Sequence, residues 1–317
     1  MRKTQKTNSA LRRFIMTIIF LTVTVLATSA CGQQSTGEGK LKVTATIGMI
    51  ADVVQEIGGE HVEVSGLMGA GIDPHLYKAS QGDVKKLDDA DVIFYNGLHL
   101  EGKMVEIFEN LENRKPTVAV SSYLTEEQLH SDPAAGEGMH DPHIWFNVKL
   151  WISAAEVIRD SLAEKDSANA DYYKEQAAAY IEELEELDAY VREQIALIPE
   201  ANRILVTAHD AFGYFGSAYG LTVTGLQGIN TMSETGAKDV STLRDYLVEN
   251  KIKAVFIESS VPKKSIESVI EGAGQLGHEV TIGGELFSDA MGDAGTVEGT
   301  YIGMVRHNVD TIVAALK

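Results

Sequence analysis

The chain has 317 residues, enough for two domains each with its own core. Its composition, 44% hydrophobic and 23% charged, is that of an ordinary globular protein and excludes a disordered or fibrous one. A formal charge of −19 excludes nucleic-acid binding through phosphate neutralisation and gives only a weak general attraction for cations.

Residues 1–30 read as a secretory signal. Arg2, Lys3, Lys6, Arg12 and Arg13 form a basic start, and 14–30 carry no charge. That apolar run is short for a membrane span. It leads through Thr28-Ser29-Ala30 to Cys31, the only cysteine. A lone cysteine has no disulfide partner, which is unusual in an exported chain. A bacterial lipobox accounts for it: cleavage before Cys31, then acylation of its sulfur and its new amino group. Leucine is usual three residues before such a cysteine; here that position is Thr28, and Leu26 lies two further back. More than one acyl chain gives stable membrane attachment. Residues 31–40 form a polar, flexible tether. Loss of the leader removes five positive charges and no negative ones, so −19 becomes −24.

From residue 41 short β-rich runs alternate with helical patterns. An N-terminal lobe, 41–165, has strands expected at 42–47, 62–67, 91–95 and 117–120, with helices at 51–57, 80–87, 102–110 and 151–162. A C-terminal lobe, 199–317, has strands expected at 203–207, 221–226, 254–257 and 279–282, with helices at 240–249, 263–272 and 300–316. This alternation predicts an α/β fold: two lobes, each with a four-stranded parallel sheet flanked by helices. Between them, 166–198 differs. Tyr173, Ala177, Tyr180, Leu184, Leu187, Val191 and Ile195 fall at steps of three or four, the apolar face of one long helix. Roughly 30 residues at about 1.5 Å each make a rod about 45 Å long, enough to join the lobes. Pro199 ends it. The polar stretch 124–138 reads as a surface loop without fixed structure.

Two Asp-Pro-His tripeptides stand out, Asp73-Pro74-His75 and Asp141-Pro142-His143. A third histidine lies in Thr207-Ala208-His209-Asp210, and Asp289 follows the last apolar run. Each lies just past a predicted strand, where parallel sheets bind ligands. Three imidazoles and one carboxylate make a four-ligand site for a divalent transition metal, two ligands from each lobe. Proline stiffens the approach to both histidines. Asp73, Asp141 or Asp210 can accept from an imidazole's second nitrogen and fix its tautomer. Glu258, at the end of an apolar strand, is a further supporting carboxylate. His61, His99, His278 and His307 read as ordinary turn or helix residues. His130 and His140, in the polar loop, are expected to have at most a weak part in capturing metal.

Together these residues resemble a family: the metal-binding solute-binding lipoproteins of bacterial ABC transporters for manganese, zinc and iron. The resemblance covers the mature chain. It includes the lipobox, GIDPHLYKAS, DADVIFYNGLHLEGK, DPHIWFN, the long helix, TAHDAFGYF and LFSDAMGD. It implies two (β/α)₄-type lobes joined by one long helix, with metal held by His75, His143, His209 and Asp289. Many manganese-selective members carry glutamate at the third position, where this chain has His209. Dedicated zinc members often carry a long His-rich loop, which this chain lacks. The ligand set therefore resembles the subgroup accepting both Mn²⁺ and Zn²⁺ as transported ligand. The resemblance further implies a receptor that is not an enzyme, lipid-anchored on the outer face of the membrane or in the periplasm, monomeric, delivering its cargo to a permease with a cytoplasmic ATPase. Two alternatives are a zinc-dependent hydrolase and a surface adhesin. The first lacks a His-Glu-x-x-His helix or Gly-x-Ser-x-Gly elbow, and no residue specifies a host partner for the second.

Overall fold

The computed structural model describes residues 39–317 apart from Pro133, Ala135 and Glu234; the signal segment and Cys31 lie outside the described residues. In the first lobe, β1 (Leu41–Ala45), β2 (Val62–Gly66), β3 (Val92–Tyr95) and β4 (Thr117–Ala119) form a parallel sheet of order β2-β1-β3-β4. The second lobe repeats the topology with β5 (Ile204–His209), β6 (Thr222–Gln227), β7 (Ala254–Glu258) and β8 (Thr281–Leu286), in order β6-β5-β7-β8. In each sheet the chain starts at an inner strand, pairs to one edge, then crosses to the other side. That reversal is the switch point at which open parallel sheets bind ligands.

Helices cover the sheets. Helix α1 (Gly48–Gly58) buries Met49, Ile50, Val53, Val54 and Ile57, the spacing of one apolar face. Helix α2 (Gln81–Asp89) starts at Ser80, whose hydroxyl accepts from the Asp83 amide while Asp83 accepts from the Ser80 amide. Next come α3 (Val105–Glu112) and α4 (Val148–Lys165), the latter opened by the Asn147 side chain accepting from Lys149 N. Helix α5 (Ala170–Ala196) has 27 residues and buries Tyr173, Ala177, Tyr180, Leu184, Leu187, Val191 and Ile195. Its buried stripe packs against α1 and α4 of the first lobe and, through α9 (Tyr301–Leu316), against the second. The second lobe is completed by α6 (Gly213–Tyr219), α7 (Ala237–Glu249) and α8 (Lys264–Gln275). One apolar core runs from Val43 and Phe94 through Leu184 of α5 to Phe256 and Ile312; a second, around Val206, Leu247, Val255 and Ile266, lies within the C-terminal lobe. Residues Lys40–Lys317 form one unit. Among the described residues no helix is long and apolar enough to cross a membrane.

Three elements depart from the sequence expectation. Strand β8 runs to Leu286, past the expected end at 282, because Gly283 and Gly284 are strand residues. A Cβ on Gly284 would lie 2.3 Å from Thr311 Cγ2, so α9 packs on a strand position that admits no side chain. Helix α6 was not expected, because its sequence GYFGSAY is rich in glycine and aromatics. The described part of the 124–138 stretch is locally ordered, not structureless. It holds a 3₁₀ turn at Glu126–Gln128 and a Ser131–His140 bridge, closed by Asp132 N to Met139 O and Asp141 N to His130 O.

Candidate metal centre

Each Asp-Pro-His tripeptide folds the same way locally. The aspartate accepts the amide of the histidine two residues on: Asp73 Oδ1 from His75 N at 2.8 Å, Asp141 Oδ1 from His143 N at 2.9 Å. Such side-chain-to-backbone bonds turn the chain tightly and aim the imidazole. The two aspartates then diverge. Asp141 Oδ1 also lies 2.7 Å from His143 Nδ1 and fixes that ring. Asp73 does not hold the His75 ring; its second oxygen accepts from Thr231 Oγ1 at 2.6 Å. His209 is the last residue of β5. Glu258, the last residue of β7, accepts its amide at 2.7 Å and lies 3.2 Å from its Nδ1. Asp289 lies in the loop after β8, next to Ser288, whose carbonyl accepts from Trp145 Nε1 at 3.1 Å.

The four loops converge. One ligand atom each from His75, His143, His209 and Asp289 lies within 4.8 Å of the other three, and all four residues are at most 2% exposed. His75 and His143 come from loops following opposite edge strands, yet their Nε2 atoms are 3.3 Å apart. Both carboxylate oxygens of Asp289 are buried without a hydrogen-bond partner. His143 Nε2 lies 3.1 Å from Oδ1, off the hydrogen-bond direction, and His75 Nε2 lies 3.7 Å from Oδ2. A buried carboxylate left unbonded is costly unless a cation meets it. Three nitrogens and one carboxylate suit zinc or manganese, and the donors alone do not separate the two.

Protonation follows from the same contacts. Burial pushes the His143 imidazole down, but Asp141 and Asp289 overcome it and raise it to about 10. Burial likewise opposes His209, and Asp289 with Glu258 raises it to about 9. Both nitrogens of His209 face acceptors, Glu258 Oε2 and the Ile229 carbonyl at 3.0 Å, which only a doubly protonated ring satisfies. His75 goes the other way. Burial, opposed by Asp289 and helped by the two charged imidazoles, lowers it to about 3. Burial raises Asp289, but the charges on His209, His143 and His75 hold it far below the usual carboxylate range. Without metal, two protons therefore partly occupy the place of the cation's charge.

The remaining candidates separate clearly. Asp210 donates its amide to Gln227 O, its carboxyl is raised by burial, and it makes no hydrogen bond to a ligand ring. His130 stacks on Tyr214 with centroids 4.1 Å apart, and His140 Nε2 lies 3.5 Å from Glu126; neither belongs to the ligand cluster. His61 packs on Tyr172, while His278 and His307 bond the carbonyls of Ile252 and Glu285.

Sequence patterns did not point to several residues that support the site. Asn96 Nδ2 donates to Pro142 O at 2.9 Å, beside His143. Its turn has positive φ at Gly97, Leu98 and His99, and Glu101 holds it by accepting from Asn96 N, Gly97 N and Thr46 Oγ1. Non-glycine residues in that region are strained and persist only where surrounding bonds fix them. The Asn-Gly pair signals a turn, but nothing local shows that the turn supports a ligand loop. Trp145 and Tyr301 tie the lobes: Trp145 donates to Ser288 O, and Tyr301 Oη donates to Trp145 O at 2.7 Å.

Replacing Glu258 by Gln keeps an acceptor for the His209 amide but removes the charged partner of its ring. Supporting groups of this kind contribute about 10–100-fold to metal affinity. Glu258→Gln is expected to weaken metal binding within that range in a chelator competition assay. Unchanged affinity would mean that Glu258 does not orient His209.

Two α/β lobes joined by a helix, with a buried cluster of three histidines and one aspartate between them that could hold a metal ion, have the form of a metal-binding protein of the solute-binding type. The chain belongs to the family of the periplasmic component A of the zinc-uptake complex, ZnuA, whose model matches residues 43–315. It is 52% identical over 295 residues to the manganese-binding lipoprotein MntA of Bacillus subtilis, covering 92% of this chain and 95% of that one. It is 50% identical over 284 residues to the zinc-binding protein TroA of Treponema pallidum, covering 90% and 91%. The solved structure of the periplasmic zinc-binding protein TroA of Treponema pallidum superposes with a TM-score of 0.86 at 51% identity, covering 88% of this chain and 99% of that one.

Proposed function

We infer that this protein captures one divalent transition-metal ion between its lobes and delivers it to an ABC permease driven by a cytoplasmic ATPase. It is a binding component of a metal-uptake system, not an enzyme. The cargo is Mn²⁺ or Zn²⁺, the metals in the names of its relatives MntA and TroA. His75, His143, His209 and Asp289 hold it, with Asp141 and Glu258 orienting two of the imidazoles. The chain acts outside the cytoplasm as a monomer, anchored by lipid on Cys31.

One observation carries this reading: the unbonded, fully buried Asp289 carboxylate ringed by three imidazoles. A carboxylate so placed is stabilised by positive charge beside it, which a bound cation supplies more fully than the protons on His143 and His209 do. Elemental analysis after purification without added metal is expected to find about one transition-metal ion per chain. His75→Ala is expected to lose it, and competitive titration with Mn²⁺ and Zn²⁺ then ranks the two. A His75→Ala protein that keeps its ion at full occupancy would refute the ligand assignment.

A further inference from the structure

One surface turn, residues 229–233, reaches His209 of its own lobe and Asp73, the aspartate that turns the His75 loop, of the other. It follows β6. The Ile229 carbonyl lies 3.0 Å from His209 Nε2 in its own lobe. Two residues later Thr231 Oγ1 donates to Asp73 Oδ2 at 2.6 Å, and the other oxygen of Asp73 accepts the amide of His75. The Gln227 side chain pins the turn to the end of β6, donating to the carbonyls of Thr231 at 2.8 Å and Ser233 at 2.9 Å. Thr231 is 6% exposed and its neighbour Met232 is 52% exposed, so the turn has one face against the site and one in solvent.

The Thr231–Asp73 bond stands apart from the other ties between lobes. Apart from the contacts to Asp289, the hydrogen bonds between lobes described here are made by aromatic residues of the shared core: Trp145 to Ser288, Tyr301 through its hydroxyl to Trp145 and through its amide to Asp52, Tyr214 to Asp141 and His130, Tyr219 to Val148. Thr231 and Asp73 instead join the loops that follow β6 and β2, one edge strand from each sheet. Asp73 and Thr231 also line a cavity of about 370 Å³ with Leu76, Val261 and Pro262, residues of both lobes. Their bond thus holds the two lobes together beside a cavity, where no packed core does so.

We propose that Thr231 is a positioning residue that latches the lobes over the cargo, so that metal release requires its bond to Asp73 to break. The proposal rests on the reading of His75 and His209 as cargo ligands. When the latch opens, His75 loses the fixed end of its turn. A hydroxyl of one lobe thereby loosens a ligand of the other without touching the ion.

The test is the dissociation rate of Zn²⁺ or Mn²⁺ from the loaded protein, followed by stopped flow into excess chelator. Thr231→Val keeps the shape and removes the hydroxyl. It is expected to speed release about ten- to hundredfold, the range for a lost hydrogen bond to a charged group, with one ion still bound per chain and the association rate unchanged. Thr231→Ser restores the hydroxyl and is expected to release at nearly the wild-type rate. Gln227→Met, which frees the turn from its own strand, is expected to accelerate release as well and carries the test should Thr231→Val not fold. Wild-type release from the unlatched variant overturns the proposal, as does a Ser variant as fast as the Val variant. Failure of the ligand reading would look different, as His75→Ala would then retain its ion while Thr231→Val behaved as wild type.

Discussion

Titration of the metal-free protein with Zn²⁺ or Mn²⁺ at pH 7 is expected to release about two protons per ion bound. His143 and His209 are the sources, since their imidazoles are raised to about 10 and about 9 and are charged at neutral pH. His75, lowered to about 3, is already neutral and contributes none. A ligand imidazole must be deprotonated, so each bound proton competes with the cation. The sign follows: affinity rises with pH while these two imidazoles must give up protons to the metal, and levels off once both are neutral. Calorimetry in buffers of different ionisation enthalpy counts the protons, and chelator competition across pH gives the slope. An affinity that is flat between pH 6 and pH 8 would mean that the metal-free histidines are neutral.

The second large effect is that of Asp289. It is the one carboxylate of the proposed ligand set, lies beside two charged imidazoles, and its oxygens make no hydrogen bond. Removing one member of a buried charged group leaves the others uncompensated, at a cost of about 3–5 kcal/mol. Asp289→Asn is therefore expected to weaken metal binding by roughly a hundred- to several thousandfold. The substitution also removes one of the carboxylates that raise His143 and His209, beside Asp141 and Glu258, so fewer protons should leave on binding. Loss of affinity together with a smaller proton release is the expected pair. A variant that binds as the wild type does would remove Asp289 from the ligand set.

Much of the candidate site was legible because its residues sit in short, repeated contexts. The two Asp-Pro-His tripeptides point to His75 and His143 within three residues each, and the aspartate-to-amide bonds account for the repetition. His209 and Asp289 were legible from their places after apolar runs, although Gly283 and Gly284 hid the true length of β8. The supporting network was legible only in part. Glu258 stood at a strand end, yet its bond to His209 spans 49 residues and depends on β5 and β7 being neighbours. The Thr231–Asp73 bond spans 158 residues and joins loops of different sheets, so no local pattern encodes it. Asp210, next to His209, drew attention by proximity alone; at the end of a strand adjacent residues point to opposite sides, and Glu258 takes the ring instead.

The long helix α5 sets a bound on how cargo can leave. Its seven large or small apolar residues from Tyr173 to Ile195 are each at most 4% exposed, against both lobes. Full burial of one large apolar side chain is worth about 1.5–3 kcal/mol, so peeling this helix from either lobe would cost on the order of the whole stability of a domain. Unloading is therefore expected to proceed without the wide gaping of a freely jointed clam, which scattering of the loaded and metal-free protein would show. Small displacements at the rim are the expected route of discharge, and a few side chains rather than two rigid bodies would then have to move.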